Sequence, residues 1–187
     1  VATMGLVHGN VKRQALLEDI LEEVKPAKPS ETVAMHWLLF TPFRYKPLPS
    51  GSRFRRRQDP GVFYGAVDRK TACAEIGYWR LRFWMDSAGL STQSASLQMT
   101  LFEFYGKAEA MIDLTCLSFL GRRTEWISSS DYLATQARNN SIQLIRYESA
   151  RNCPNGRCLA VLSPQVCKSV KPRFSISPNR ESGLERI

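Results

Sequence analysis

The stretch Gly51–Arg82, GSRFRRRQDPGVFYGAVDRKTACAEIGYWRLR, decides how the rest of the chain is read. It opens with four arginines in five residues (Arg53, Arg55, Arg56, Arg57) and turns at Asp59-Pro60-Gly61. The apolar run Val62-Phe63-Tyr64 then suits a strand. If 52–57 is extended, Arg53, Arg55 and Arg57 share one face, and Phe54 and Arg56 the other. Asp68 is a good N-cap for a helix over 69–86. On that helix Ala72, Ile76, Trp79 and Phe83 recur at helical spacing and predict an apolar stripe. Glu75 falls about 60° from Ala72 at about 100° per residue, on the flank of the stripe. A carboxylate there is either a solvated flank or a functional group held against the core edge. Arg53, Tyr64 and Glu75 are spaced eleven residues apart, each on a different local element. A cation, a phenol and a carboxylate brought together can make a site for an anionic, aromatic substrate.

At 187 residues the chain is long enough for a single domain with a real core. Its 43% hydrophobic and 23% charged content is ordinary for a soluble globular protein. No apolar run approaches the roughly 20 residues of a membrane span. The stretch VATMGLVHGN is not a basic segment followed by an apolar one, so no signal peptide is expected. The five cysteines form no Cys-x-x-Cys pair, and only His8 and His36 accompany them. Reduced thiols in a cytoplasmic protein are the plain reading, with no metal site and no prosthetic group. The net charge of +9 suits a nucleic-acid surface, a small polyanionic ligand or an acidic protein partner.

Outside the central stretch, Asn10 predicts the start of a helix over 11–24, with Leu16, Leu17, Ile20, Leu21 and Val24 on one stripe. That stripe packs on the body or serves a partner, core packing being the plainer expectation. Residues 1–30 thus read as an N-terminal helix and linker ahead of a body over 31–187. The apolar run 33–43, VAMHWLLFTPF, suits a buried strand with His36 as a core histidine and Arg44 at its exit. Residues 97–105 and 108–115 alternate like a hairpin joined at Gly106-Lys107. Ser128–Ser130 can cap a helix from Asp131 to Asn139-Asn140. Strands over 142–147 and 157–162 flank a turn at Asn152–Gly156, and a last strand follows Ser169. Ser149, leaving the first of these strands, is either a ligand-bonding hydroxyl or a turn serine bonding its own backbone. This mixture predicts an α+β fold with a mainly antiparallel sheet and flanking helices. Neither the dinucleotide fingerprint nor the P-loop pattern occurs in a suitable context.

The ordered segments GSRFRR, PGVFYGA, TACAEIGYWR and RYESAR…GRCLAV resemble the RES-domain proteins, and the resemblance covers roughly residues 38 to 165. It departs from them at Glu148, where many relatives carry proline, and in the denser arginine run 55–57. The resemblance implies a fold similar to ADP-ribosyltransferases, and a bacterial toxin that degrades NAD⁺. It implies neutralisation by an antitoxin with an Xre-like helix-turn-helix domain, through which alone nucleic acid is met, and allows a homodimer within the complex. The family's arginine, tyrosine, glutamate and serine fall on Arg53, Tyr64, Glu75 and Ser149, and an earlier arginine on Arg44.

The residue chemistry agrees with that implication. An arginine fork suits a pyrophosphate, and a tyrosine ring suits the flat cationic nicotinamide. A fixed carboxylate opposes the positive charge that develops on the ribose as the glycosidic bond breaks. The acceptor is then inorganic phosphate, as in a phosphorylase, or water, as in a glycohydrolase. Three rival readings stay open: a protein ADP-ribosyltransferase, a basic nucleic-acid-binding or ribonuclease toxin, and a non-enzymatic partner-binding module in which the first helix binds and the arginines are solvated surface.

Overall fold

A computed structural model describes residues 7–46, 52–90, 99–116 and 132–176, with side chains through 171 and Cys116 excepted. Among the described residues there are four helices and two sheets; the helices are α1 (Val11–Glu23), α2 (Trp37–Arg44), α3 (Arg69–Asp86) and α4 (132–139). The strands are β1 (Phe63–Ala66), β2 (Met99–Gly106), β3 (Met111–Asp113), β4 (Leu144–Glu148), β5 (Arg157–Val161) and β6 (Cys167–Ile176). The larger sheet runs β1-β5-β4-β3, and β2 pairs with β6 in the other. All pairings are antiparallel except β3 with β4. This is the α+β, mainly antiparallel architecture that the sequence predicts. No helix among the described residues is long and apolar enough to cross a membrane.

The larger sheet buries both faces. On one face Ile145, Tyr147, Cys158 and Ala160 join Phe54, Val62, Leu114 and the α4 residues Ala134 and Ala137 in a core. On the other, Phe63 and Val161 pack with Leu39 of α2, and with Val166 and Cys167 near the smaller sheet. The strand register explains the division. Tyr64 pairs with Ala160, which pairs with Ile145, while Ala66, Cys158 and Tyr147 form the next row on the same face.

Local signals hold where the chemistry is local. Asn10 caps α1 by accepting from Arg13 N at 3.0 Å. Asp68 caps α3 by accepting from Thr71 N at 2.8 Å. Several longer-range expectations are corrected. The apolar run 33–43 is not a strand, because Trp37–Arg44 is helical and the exposed His36 is its N-cap, accepting from Leu38 N at 3.3 Å. A short continuous apolar run has no periodicity that separates strand from helix. The stretches 97–105 and 108–115 form no hairpin, since β2 pairs with β6 and β3 with β4. The chain changes sheets after Gly106, where a Cβ would lie 2.5 Å from Val166 O, and Lys107 N donates to that same carbonyl at 3.0 Å. The α1 stripe is not core: Leu16, Ile20 and Val24 are exposed. The Ser128–Ser130 cap lies outside the described residues.

The arginine segment is a tight turn rather than an extended strand. Ser52 and Arg55 exchange backbone bonds, each at 2.9 Å. Phe54 adopts φ +64 and is fully buried, edge-on to Tyr147 at 5.1 Å between ring centres. Its carbonyl accepts from Arg138 Nη2 at 2.9 Å. A left-handed backbone is unfavourable for a bulky residue, so ring burial and the Arg138 bond must outweigh the strain. Phe54→Ala is therefore expected to lower stability by about 3–5 kcal/mol, the usual cost of emptying a buried aromatic site. Chemical denaturation measures this, and a loss under about 1 kcal/mol would contradict the anchor role.

Candidate active site

Helix α3 packs against β1 and β5, and its side toward the sheet is polar. Thr71 is fully buried, and Glu75 and Tyr78 are half-buried, at the i, i+4, i+7 spacing of one helix face. The expected apolar face is instead turned outward: Ile76, Trp79 and Phe83 are 37%, 56% and 61% exposed. A helix that buries a carboxylate side while exposing aromatic residues is not organised for hydrophobic packing alone.

Glu75 meets the exit of β4. Ser149, 0% exposed, donates from Oγ to Glu75 Oε1 at 2.7 Å. Ser149 Oγ in turn accepts from Arg151 N at 3.1 Å and from Asn152 N at 3.0 Å. The reading of Ser149 as a turn serine bonding its own backbone therefore describes it, and its hydroxyl also reaches out of the turn to Glu75. Ser149 N donates to Gly156 O at 2.9 Å, and Gly156 N to Asn152 O at 2.6 Å, drawing the loop shut. A Cβ on Gly156 would lie 2.5 Å from Asn152 O and 2.9 Å from Thr71 Oγ1, so the closure requires glycine.

A second rung runs parallel to the first. Asn152 Nδ2 donates to Thr71 Oγ1 at 2.8 Å, and Thr71 Oγ1 donates to Asp68 Oδ2 at 2.6 Å. The helix cap, the helix and the 149–156 loop are thereby one hydrogen-bonded unit. Hydrogen bonds from Thr71 hold the Asp68 carboxyl below its usual range. The sequence reading missed Thr71 and Asn152, although Thr71 stands one helical turn before Glu75.

Tyr147 gathers the remaining groups. It lies two residues before Ser149 on β4, and so on the same face of the sheet. The Arg53 guanidinium lies over its ring, 5.2 Å from the centre. Tyr64, 40% exposed on β1, places its hydroxyl 3.2 Å from Ser52 Oγ, next to Arg53 in the chain. Burial raises the Tyr64 phenol, against the lowering effects of the Ser52 bond and of Arg55 and Arg53. Burial likewise raises Tyr147, aided by Cys158 and opposed by Arg53. Cys158, across from Tyr147 on β5, has Sγ 3.9 Å from Glu75 Oε1. Burial first, and then the Glu75 charge, push its thiol up to about 11. Both phenols and the thiol therefore stay protonated near neutral pH. The arrangement offers a cation and a carboxylate beside a half-open ring, with no thiolate or phenolate nucleophile.

The structure thus brings Arg53, Tyr64, Glu75 and Ser149 around Tyr147 and Cys158, neither of which the sequence reading singled out. Arg44 is not among them. It donates to Glu22 Oε1 at 2.6 Å and to Pro26 O at 2.5 Å, fastening α2 to the end of α1. There it lines a separate cleft of about 400 Å³ with Lys25, Lys28, Trp37 and Tyr45. The cleft has no carboxylate held by a buried hydroxyl, and its Arg44 is already paired. Two other arginines of the run have protein partners: Arg55 donates to Tyr45 O at 2.6 Å, and Arg56 Nη2 pairs with Asp59 at 3.5 Å.

Thr71→Val keeps the shape of the side chain but leaves Asn152 Nδ2 and Asp68 Oδ2 without their partner. It should lower unfolding free energy by about 1–3 kcal/mol, the cost of orphaned buried polar groups. A variant that denatures with the wild type would show that the second rung carries no weight.

A search of curated proteins finds no match to the chain. Among sequence models of protein families, that of the RES domain matches residues 29–180. The matched span holds all four gathered residues. The chain belongs to the RES-domain family, a family associated with NAD-related enzymatic activity and with toxins paired to antitoxins.

Proposed function

We propose that this site cleaves the nicotinamide–ribose bond of NAD⁺ and passes ADP-ribose to inorganic phosphate or water, making the protein a toxin held in check by an antitoxin. The observation that carries the reading is the Glu75 carboxylate, held by the buried Ser149 hydroxyl at 2.7 Å with Arg53 and Tyr64 gathered around the same tyrosine. NAD⁺ is the substrate, and no prosthetic group is needed for this chemistry. A cytoplasmic protein would meet both NAD⁺ and phosphate there.

In this mechanism Arg53, held over the Tyr147 ring, offers its fork to the pyrophosphate oxygens. The exposed part of the Tyr64 ring receives the cationic nicotinamide. The C–N bond breaks with its electron pair moving to the ring nitrogen, which becomes neutral. Positive charge passes to the ribose C1 and ring oxygen, and Glu75 opposes it. An oxygen of phosphate or water then bonds to C1, and with water a proton departs to solvent or to Glu75. Ser149 acts as a positioning residue, fixing the carboxylate so that little reorganisation is needed as charge develops. A thiolate attack is disfavoured by the raised Cys158 thiol, which accords with a dissociative path.

The ribonuclease reading loses ground because His36 caps α2 and reaches no part of this cluster. Transfer of ADP-ribose to a protein would use the same groups with a different acceptor.

Glu75→Gln removes the charge while its amide oxygen can still accept from Ser149. It should leave the fold intact and reduce NAD⁺ turnover by about 100-fold or more, the scale of losing a preorganised electrostatic group. Arg53→Lys exchanges a planar fork for a point charge, and should lower kcat/KM by about tenfold or more. Purified variants assayed for NAD⁺ loss decide both. Wild-type turnover in Glu75→Gln would remove the carboxylate from the mechanism.

A further inference from the structure

Arg151 takes no part in the mechanism above, yet its setting parallels that of Arg53. Its guanidinium carbon lies 3.4 Å from the centre of the Tyr78 ring. Tyr78 is on α3, three residues beyond Glu75, or about 4.5 Å further along the helix axis. The ring is fixed from both sides: Trp79 meets it edge-on at 5.4 Å, and Arg82 Nη1 donates to its hydroxyl at 3.5 Å. The Arg151 backbone is fixed as well, because its amide donates to Ser149 Oγ at 3.1 Å. The side chain is exposed, and no carboxylate lies within ion-pair range of it among the described residues. A ring this close occupies the guanidinium face and does not compete for its in-plane N–H donors, the edge that meets oxyanions bidentately.

Two arginines therefore flank the Glu75–Ser149 pair, one resting on Tyr147 of the sheet and the other on Tyr78 of the helix. Arg53 has Tyr64 beside it, as the dinucleotide end of the proposed site requires. Arg151 is tied to the turn that holds the carboxylate. We infer that Arg151 on its Tyr78 platform is a second oxyanion subsite, which takes a phosphoryl group brought to the Glu75 side of the site. The inference rests on the NAD⁺ reading for its place in catalysis, but not for anion binding itself. The phosphoryl group is either free inorganic phosphate serving as acceptor or the pyrophosphate of the dinucleotide.

The test uses Arg151→Ala and Arg151→Lys, which alter an exposed side chain and keep the amide bond to Ser149. Initial rates of NAD⁺ loss are measured with phosphate and NAD⁺ varied in turn. Titration calorimetry with inorganic phosphate and with inorganic pyrophosphate is run beside them, without NAD⁺. Arg151→Ala should raise one KM by about 10- to 100-fold, as expected for a lost charge-assisted contact, with a smaller change in kcat. Arg151→Lys should recover part of the loss. A raised KM for phosphate alone identifies the acceptor, and a raised KM for NAD⁺ alone identifies the pyrophosphate. Calorimetry should show the matching anion bound by wild type and weakened to the same degree in Arg151→Ala. Should wild type leave NAD⁺ intact, the calorimetric difference still decides the subsite while the proposed reaction falls. Equal anion binding by wild type and Arg151→Ala, with both KM values unchanged where turnover is seen, overturns the inference.

Discussion

The hydrogen bond from Ser149 to Glu75 ties together parts of the chain that are 74 residues apart. One end is a strand exit in the larger sheet and the other is the inward side of α3. The Ser149 hydroxyl is buried, so it must find protein partners. Ser149 meets that demand with three bonds, two received from amides and one given to the carboxylate. The direction matters: because the hydroxyl proton is given to Glu75, the carboxylate is restrained in the geometry that the proposed chemistry uses. The Thr71–Asn152 rung repeats the link one turn earlier and stops the loop from rotating about a single bond.

That link also explains why α3 turns its aromatic residues outward. Burial of Ile76, Trp79 and Phe83 would favour the opposite rotation of the helix by the hydrophobic effect. The observed rotation leaves these residues exposed and brings Thr71, Glu75 and Tyr78 to the sheet. The Asp68 cap and two hydrogen-bonded rungs fix that rotation. A similar exchange holds in the arginine turn, where Phe54 accepts a left-handed backbone and a buried ring in return for an outward Arg53. In both places a locally unfavourable feature positions a charged group beside Tyr147.

The sequence was most legible where structure is set by neighbouring residues. Asn10 and Asp68 mark helix starts because a cap acts over three residues. The spans of α1 and α3 follow from those caps with little error. It was least legible where pairing is distant: no local pattern shows that Met99–Gly106 seeks Cys167–Ile176 rather than the segment just after it. The run Trp37–Arg44 lacked a period, and α3 carried an apolar period that the fold does not use. Arg53, Tyr64, Glu75 and Ser149 were found by residue type, order and family resemblance, not by any visible convergence. Tyr147 and Thr71 were within reach, at strand spacing from Ser149 and helical spacing from Glu75. Cys158 and Asn152 depend on strand register and loop closure, which spacing does not reveal. Arg44 resembled a site residue by position, but its pairing with Glu22 is a tertiary fact.

The chemical reading depends on what the purified protein does to NAD⁺. Incubation with NAD⁺ in the presence and absence of inorganic phosphate, with products identified by mass, tests it most directly. Release of nicotinamide together with ADP-ribose 1″-phosphate, or with free ADP-ribose, is the predicted result, and the identity of the second product fixes the acceptor. Intact NAD⁺ after incubation with folded protein free of any antitoxin would contradict it.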